Sequence, residues 1–198
     1  SYAGSSIDLL VATGVEKVVS LNSVADDTFS NVQSLASVEV DGSENAVTVT
    51  YADTLVTATA EAAVEVKGGA TVSVLNIGGV SSPYAEFATI NITSSGASAN
   101  TFTLIEDGNS AAVGGLVTVN VTGSADLTLG TGLTAFAGNN SAADMTLNAA
   151  AATGDLTVTG TNFENITLGA GDDTLLLGAT QVSDTSTAGQ VVLNGGAG

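Results

Sequence analysis

Between Met145 and Leu177 the chain reads MTLNAAAATGDLTVTGTNFENITLGAGDDTLLL, and this run decides the fold. Apolar and polar residues alternate in Met145-Thr146-Leu147, in Leu156-Thr157-Val158-Thr159 and in Ile166-Thr167-Leu168, and a further apolar run follows at Leu175 to Leu177. A period of two over a few residues, bounded by Gly, Asn or Asp, is the signature of a short β-strand. The starts fall at 145, 156, 166 and 175, a rhythm of 9 to 11. Two such units make a turn of roughly 18–20 residues, the length expected of a parallel β-helix built from nonapeptides.

The same alternation extends towards the N-terminus, in Val47-Thr48-Val49-Thr50-Tyr51, Val72-Ser73-Val74, Ile90-Asn91-Ile92-Thr93, Val117 to Thr122 and Leu127-Thr128-Leu129. Before residue 120 the spacing drifts between 8 and 18. A β-sandwich of hairpins also turns every 8–12 residues, so it stands as the alternative for the N-terminal half. A weaker template supports stacking: Val15 to Leu21, Leu35 to Val40, Phe87 to Ile92 and Phe163 to Leu168 each place an apolar residue before an alternating strand. Ser5 to Val15 and Ala58 to Val64 could each hold a helical turn or two. The expected fold is all-β, an irregular right-handed parallel β-helix or β-solenoid. Residues 1–115 form a degenerate β-rich segment and 116–198 a more regular solenoid, together one continuous fragment of a longer protein.

Composition narrows the function. The 198 residues carry 20 acids against two basic side chains, Lys17 and Lys67, for a net charge of −18. Neutralising a phosphate backbone needs Lys and Arg, so nucleic acid is excluded as a partner, and anionic membrane surfaces with it. Carboxylates in such excess call for cations, held loosely or at specific sites. There is no Cys to staple the chain and no run of 18 apolar residues to span a bilayer as a helix. Aromatics are 4%, so the core must be stacked Val, Leu, Ile and Ala.

One stretch carries chemistry. Leu168-Gly169-Ala170-Gly171-Asp172-Asp173-Thr174-Leu175-Leu176 fits the calcium-binding nonapeptide G-G-x-G-x-D-x-U-x at every specified position but the first. Its glycines permit a tight turn that presents carbonyls, Asp173 supplies a carboxylate, and Leu175 turns inward as a strand begins. Calcium takes six to eight oxygens, so the turn needs its counterpart on the adjacent coil. Gly154-Asp155 stands two ninefold steps before Asp173, and Gly195-Gly196-Ala197-Gly198 opens another copy three ninefold steps after Leu168. The expected metal set is Asp155, Asp172 and Asp173 with the carbonyls of Gly169 and Gly171. Asp26-Asp27-Thr28-Phe29 echoes the motif without its glycines and reads as a plain loop. Glu106-Asp107-Gly108-Asn109, Asp41-Gly42 and Asn139-Asn140 read as turns.

These residues resemble the repeats-in-toxin family, and the Ala/Thr/Gly/Val texture around Phe163-Glu164-Asn165-Ile166-Thr167-Leu168 resembles its bacterial surface-layer members. The span that holds the sharp motif, Leu168 to Gly198, covers about 15% of the chain. The resemblance implies an extracellular, type I secreted protein of the cell surface that folds with calcium and assembles with copies of itself into a lattice. Attachment to cell-surface lipopolysaccharide would lie in regions outside this fragment. A repeat module of a secreted repeats-in-toxin-type adhesin is the alternative. An ice-binding solenoid, suggested by Thr48/Thr50, Thr57/Thr59 and Thr157/Thr159, is disfavoured by their irregular spacing. Catalysis is not expected: with no His and no Cys, Ser-His and Cys-His triads and the usual zinc sites are missing. Carboxylate-pair hydrolysis of sugars lacks its customary aromatic platform, since there is no Trp and only Tyr2, Tyr51 and Tyr84.

Overall fold

The computed structural model describes residues 4–42, 44–57, 59–80, 87–103, 105–106, 118–130, 136–137, 145–160, 163–177 and 192–197. These residues form two sheets and no helix. The first sheet runs in the order β1 (Ser6–Asp8), β3 (Asp27–Val32), β5 (Glu44–Tyr51), β7 (Thr71–Gly79), β9 (Asn100–Phe102), β12 (Leu127–Leu129), β15 (Leu156–Gly160) and β17 (Thr174–Leu177). Two short strands join it, β10 (Ile105–Glu106) against β7 and β13 (Phe136–Ala137) against β10. The second sheet holds β2 (Lys17–Leu21), β4 (Ser37–Asp41), β6 (Glu61–Lys67), β8 (Thr89–Ser94), β11 (Thr118–Gly123), β14 (Met145–Ala152), β16 (Phe163–Thr167) and β18 (Val192–Asn194).

Every pairing between described strands is parallel. Hairpins require antiparallel neighbours, so the hairpin-built sandwich considered for the N-terminal half does not form. The helical turns considered at Ser5–Val15 and Ala58–Val64 are replaced among the described residues by β1 and β6. The chain alternates between sheets, so each pass, or rung, adds a strand to both. Rung length is uneven. The steps from Asp27 to its partner Val47 and from Thr157 to Thr174 are short, close to the nonapeptide-built turn. Between them the step is longer, from Val47 to Leu75 and from Thr71 to Thr101. Short steps are therefore found in the first rungs and again around β14 to β17, while the middle rungs and the last step, from Asn165 to Val192, carry more chain. Pairing also runs unbroken across residue 115, with Ile90 beside Val119 and Phe102 beside Leu129.

All four segments of the weak template fall in the second sheet, as β2, β4, β8 and β16. The template is therefore a record of one sheet's inward face. Its register builds aliphatic columns: Val38, Val64, Ile92 and Val121 stack in one, and Ala62, Ile90, Val119, Leu147 and Ile166 in another. These side chains join those of the first sheet, such as Val49, Ile77 and Val158, in a single buried core. Burying one Val, Leu or Ile fully is worth roughly 1.5–3 kcal/mol, against roughly 0–1 for a surface ion pair. The columns, not the charges, therefore hold the rungs together. Tyr51 and Phe87 add an edge-on ring pair at 5.3 Å, and the Tyr51 hydroxyl donates to the Ala36 carbonyl at 2.7 Å.

On the outer face of the second sheet, polar side chains form ladders. Asn148 donates to Asn120 at 3.3 Å, Asn120 to Asn91 at 2.8 Å, and Asn91 to Glu61 at 2.9 Å. Further towards the N-terminus the same face becomes charged. Glu39 lies between Lys17 at 2.6 Å and Lys67 at 2.7 Å, with Glu65 and Asp41 beyond them. Hydrogen bonds from Lys17 and then Lys67 hold the Glu39 carboxyl below the ordinary glutamate range. Both basic side chains of the protein are thus committed to this cluster.

Candidate functional site

The motif 168–176 forms the turn from β16 to β17, and its residue types follow from what lies beneath them. A Cβ on Gly171 would stand 2.6 Å from the Gly154 carbonyl oxygen, and one on Gly169 would stand 2.5 Å from that of Ala152. Backbone packs on backbone here, one rung on the next, and leaves no room for a side chain. Ala170 N donates to Ala152 O at 3.0 Å, continuing the stack. Gly196 in turn lies over Gly169, with Ala197 N donating to Gly169 O at 3.0 Å. Gly196 has φ +71°, which a side chain rarely tolerates. The three ninefold steps read between the two glycine-rich stretches are therefore a true stacking distance; Gly198 lies outside the described residues.

The carboxylates divide into two columns. Asp126, Asp155 and Asp172 form the outer one: Asp155 N donates to Asp126 Oδ1 at 2.9 Å, and Asp172 N to Asp155 Oδ1 at 2.8 Å. All three are exposed. Asp173 belongs to the inner column. Its Oδ1 accepts the Leu156 N–H from the preceding rung at 2.9 Å, and its Oδ2 accepts the Gly169 N–H from its own turn at 3.0 Å. One side chain thus ties the turn to itself and to its neighbour.

The same device occurs twice more. Asp27 accepts Ser5 N–H at 2.7 Å from the preceding rung and Ser20 Oγ at 2.6 Å from its own. Asn100 accepts Ala70 N–H at 3.0 Å from the preceding rung, and its amide donates to Ser94 Oγ at 3.0 Å and Ser95 O at 3.2 Å. In each case the donor N–H belongs to the residue before the first paired position of the strand below, namely Ser6–Thr28, Thr71–Thr101 and Thr157–Thr174. The shared sequence is Asx-Thr-apolar: Asp27-Thr28-Phe29, Asn100-Thr101-Phe102 and Asp173-Thr174-Leu175. Asp26-Asp27-Thr28-Phe29 is therefore more than the plain loop expected of it: Asp27 is buried and opens β3. Asn100 was absent from the expected site set, and the tripeptide was the signal that could have found it.

The expected calcium ligands are brought together in part. Asp155, Asp172 and Asp173 lie on adjacent rungs around one turn, and a groove of about 400 Å³ is lined by Leu168, Gly171, Asp172, Asp173, Thr174 and Gly195. Asp173 spends both oxygens on backbone N–H groups and Gly169 O accepts Ala197 N–H. Exposed Asp155 and Asp172 are the acids open to a cation, and Gly171, whose carbonyl belongs to the expected set, lines the same groove as Asp172. Among the described residues no group of three or more acidic side chains converges on one point. A hard cation at this turn would therefore draw on carbonyl oxygens and water as well. No basic side chain offsets these acids, since Lys17 and Lys67 are held by Glu39 and its neighbours.

Asp41-Gly42 is a turn, with Gly42 at φ +88°. Asp107, Gly108, Asn109, Asn139 and Asn140 lie outside the described residues. Of the Thr pairs, one member aligns: Thr157 stands in a column with Thr71, Thr101, Thr128 and Thr174, and Thr48 lies beside Thr28. The second members do not, since Thr50 lies beside Gly78 and Thr159 beside Leu176, so no paired rank forms among the described residues. No family model, no curated protein and no solved structure matches the chain.

Proposed function

We propose that this chain is a structural segment of a calcium-dependent bacterial surface layer, secreted and assembled outside the cell with copies of itself. In this reading the two sheets are the walls of an irregular right-handed β-solenoid, and the chain catalyses nothing. The observation that carries it is the turn stack at Asp126, Asp155 and Asp172. Acids recur there on adjacent rungs, Asp126 accepting the N–H of Asp155 and Asp155 that of Asp172, with no basic partner. Like charges roughly 5 Å apart repel, and divalent cations at the outer oxygens would turn that repulsion into cohesion. The scarcity of Lys, the lack of His and Cys, and surfaces of Thr and Asn ladders suit a wall more than a catalyst. Surface-layer membership and type I export rest on the resemblance to repeats-in-toxin-type proteins.

The test is assembly. The purified chain, moved from chelator into millimolar calcium, should form ordered sheets visible by negative-stain electron microscopy. A chain that binds calcium yet stays monomeric would be an adhesin module instead. A chain that neither binds calcium nor assembles would refute both.

A further inference from the structure

Two carboxylates are buried together in the N-terminal rungs. Asp27, at the start of β3, is 7% exposed and Glu44, at the start of β5, is 4% exposed. Ser23 joins them: its N–H donates to Glu44 Oε1 at 2.9 Å, and its hydroxyl lies 3.3 Å from Asp27 Oδ1. Asp27 also accepts Ser5 N–H at 2.7 Å and Ser20 Oγ at 2.6 Å. Three of the four carboxylate oxygens therefore have donors. The fourth, Glu44 Oε2, is buried with no hydrogen-bond partner among the described residues.

Charge makes this arrangement untenable as two anions. Among the described residues the groups facing Glu44 are Ser20 from β2, Ser23 from the turn and Asp27 from β3, and of these only Asp27 is charged. Its β7 register partner is Val72. Both Lys side chains are bound to Glu39 on the second sheet. Two buried like charges without a counter-ion cannot both stay ionised. A divalent cation would need six or more oxygens, but a single oxygen here lacks a donor. A proton needs only one.

We infer that Asp27 and Glu44 share a single proton, carried on Glu44 Oε2, and that this proton latches the turn between β2, β3 and β5. Ser20 gives its hydroxyl hydrogen to Asp27 Oδ2 at 2.6 Å, so it has none to offer Glu44 Oε2. Burial, reinforced by the charge of Asp27, pushes the Glu44 carboxyl above the ordinary glutamate range. A raised value in the folded state means stability that is complete at low pH and lost as pH rises through that value. The N-terminal rungs are thus loosened as pH rises through the Glu44 value, the reverse of an ordinary carboxylate cluster.

The experiment is carbon-13 NMR titration of the side-chain carboxyls of the whole chain, in chelator and again in millimolar calcium. Glu44 should titrate above the ordinary glutamate range in both buffers, and in Asp27→Asn its midpoint should fall back towards that range. A Glu44 midpoint within or below the ordinary range in chelator would overturn the inference. So would a midpoint driven down by calcium, which would place a cation at the pair. The wild-type titration decides the matter even if Asp27→Asn fails to fold. Glu44→Gln provides a second reading: its urea midpoint should no longer decline as pH rises above the ordinary glutamate range, and an undiminished decline would contradict the latch.

Discussion

Asp26-Asp27-Thr28-Phe29 and Asp172-Asp173-Thr174-Leu175 occupy the same place in the first sheet, near its opposite ends, and are finished in opposite ways. In both, the second Asp binds the backbone N–H of the preceding rung. At the C-terminal turn the second donor is a backbone N–H, that of Gly169, and the packing beneath Gly169 and Gly171 admits no side chain. At the N-terminal turn the second donor is the Ser20 hydroxyl, the Asp is buried, and a second acid, Glu44, is buried with it. One turn leaves its spare acids facing water, where cations can reach them; the other exposes Asp26, which Asn45 caps, but seals Asp27 and Glu44 away, where only a proton suits. A shared tripeptide thus fixes the backbone role of the Asp, and the residues around it fix the ionic chemistry.

The largest expected contrast comes from Ala. Asp27→Ala strands the Ser5 N–H and the Ser20 hydroxyl at a buried carboxylate and should cost about 2–3 kcal/mol, whereas Asp173→Ala strands two at a half-buried turn and should cost about 1–2 kcal/mol. Urea unfolding that reversed this order would mean that the two turns are not stapled as described. Gly171→Ala should cost about 1–3 kcal/mol, because its methyl, 2.6 Å from the Gly154 oxygen, would have to push the stacked backbones apart. An unchanged midpoint would show that the rungs separate freely there.

Asn discriminates more finely. Both donors to Asp173 are backbone N–H groups that cannot turn away, so one would face the new amide in Asp173→Asn, at a cost of about 1–3 kcal/mol. In Asp27→Asn the Ser20 hydroxyl can rotate to accept, and a like charge is removed, so the cost should stay below about 1 kcal/mol. Asn100 already plays this part in the middle rungs with Ser94 as its partner. Equal losses at 27 and 173 would remove the distinction between hydroxyl and backbone donors.

The smallest effect is on acid. Glu39 is held below the ordinary range by Lys17 and Lys67, so its contribution is present at neutral pH and lost as pH falls through its lowered value. Glu39→Gln should flatten the acid limb of stability against pH and leave the alkaline limb untouched. A change confined to the alkaline limb would refute this assignment.

Much of this architecture was legible. The alternation in Val47 to Tyr51, Ile90 to Thr93 and Leu156 to Thr159 located strands, because every second residue must face one core. Parallel pairing could not be read from alternation, which is the same in hairpins. It showed only where the turns are tight enough for rung length to be counted, after Met145. The middle rungs hid their period because their longer steps, Val47 to Leu75 and Thr71 to Thr101, carry more chain between strands. Stacking of the glycine-rich turns was readable from their ninefold spacing. The role of Asp173 was not, because its partner Leu156 is distant in the chain and presents only a backbone N–H. Glu44 gave no sign in sequence: it follows Asp41-Gly42 in what looks like a solvated turn, and only its neighbours in space bury it.

The most direct test is hydrogen–deuterium exchange of the chain, resolved by segment, in chelator and in millimolar calcium. Segments around 152–174 should gain protection with calcium, while those around 20–48 should exchange alike in both buffers. Equal gains at both turns, or no gain at 152–174, would contradict the division between a cation-dependent turn and a proton-sealed one.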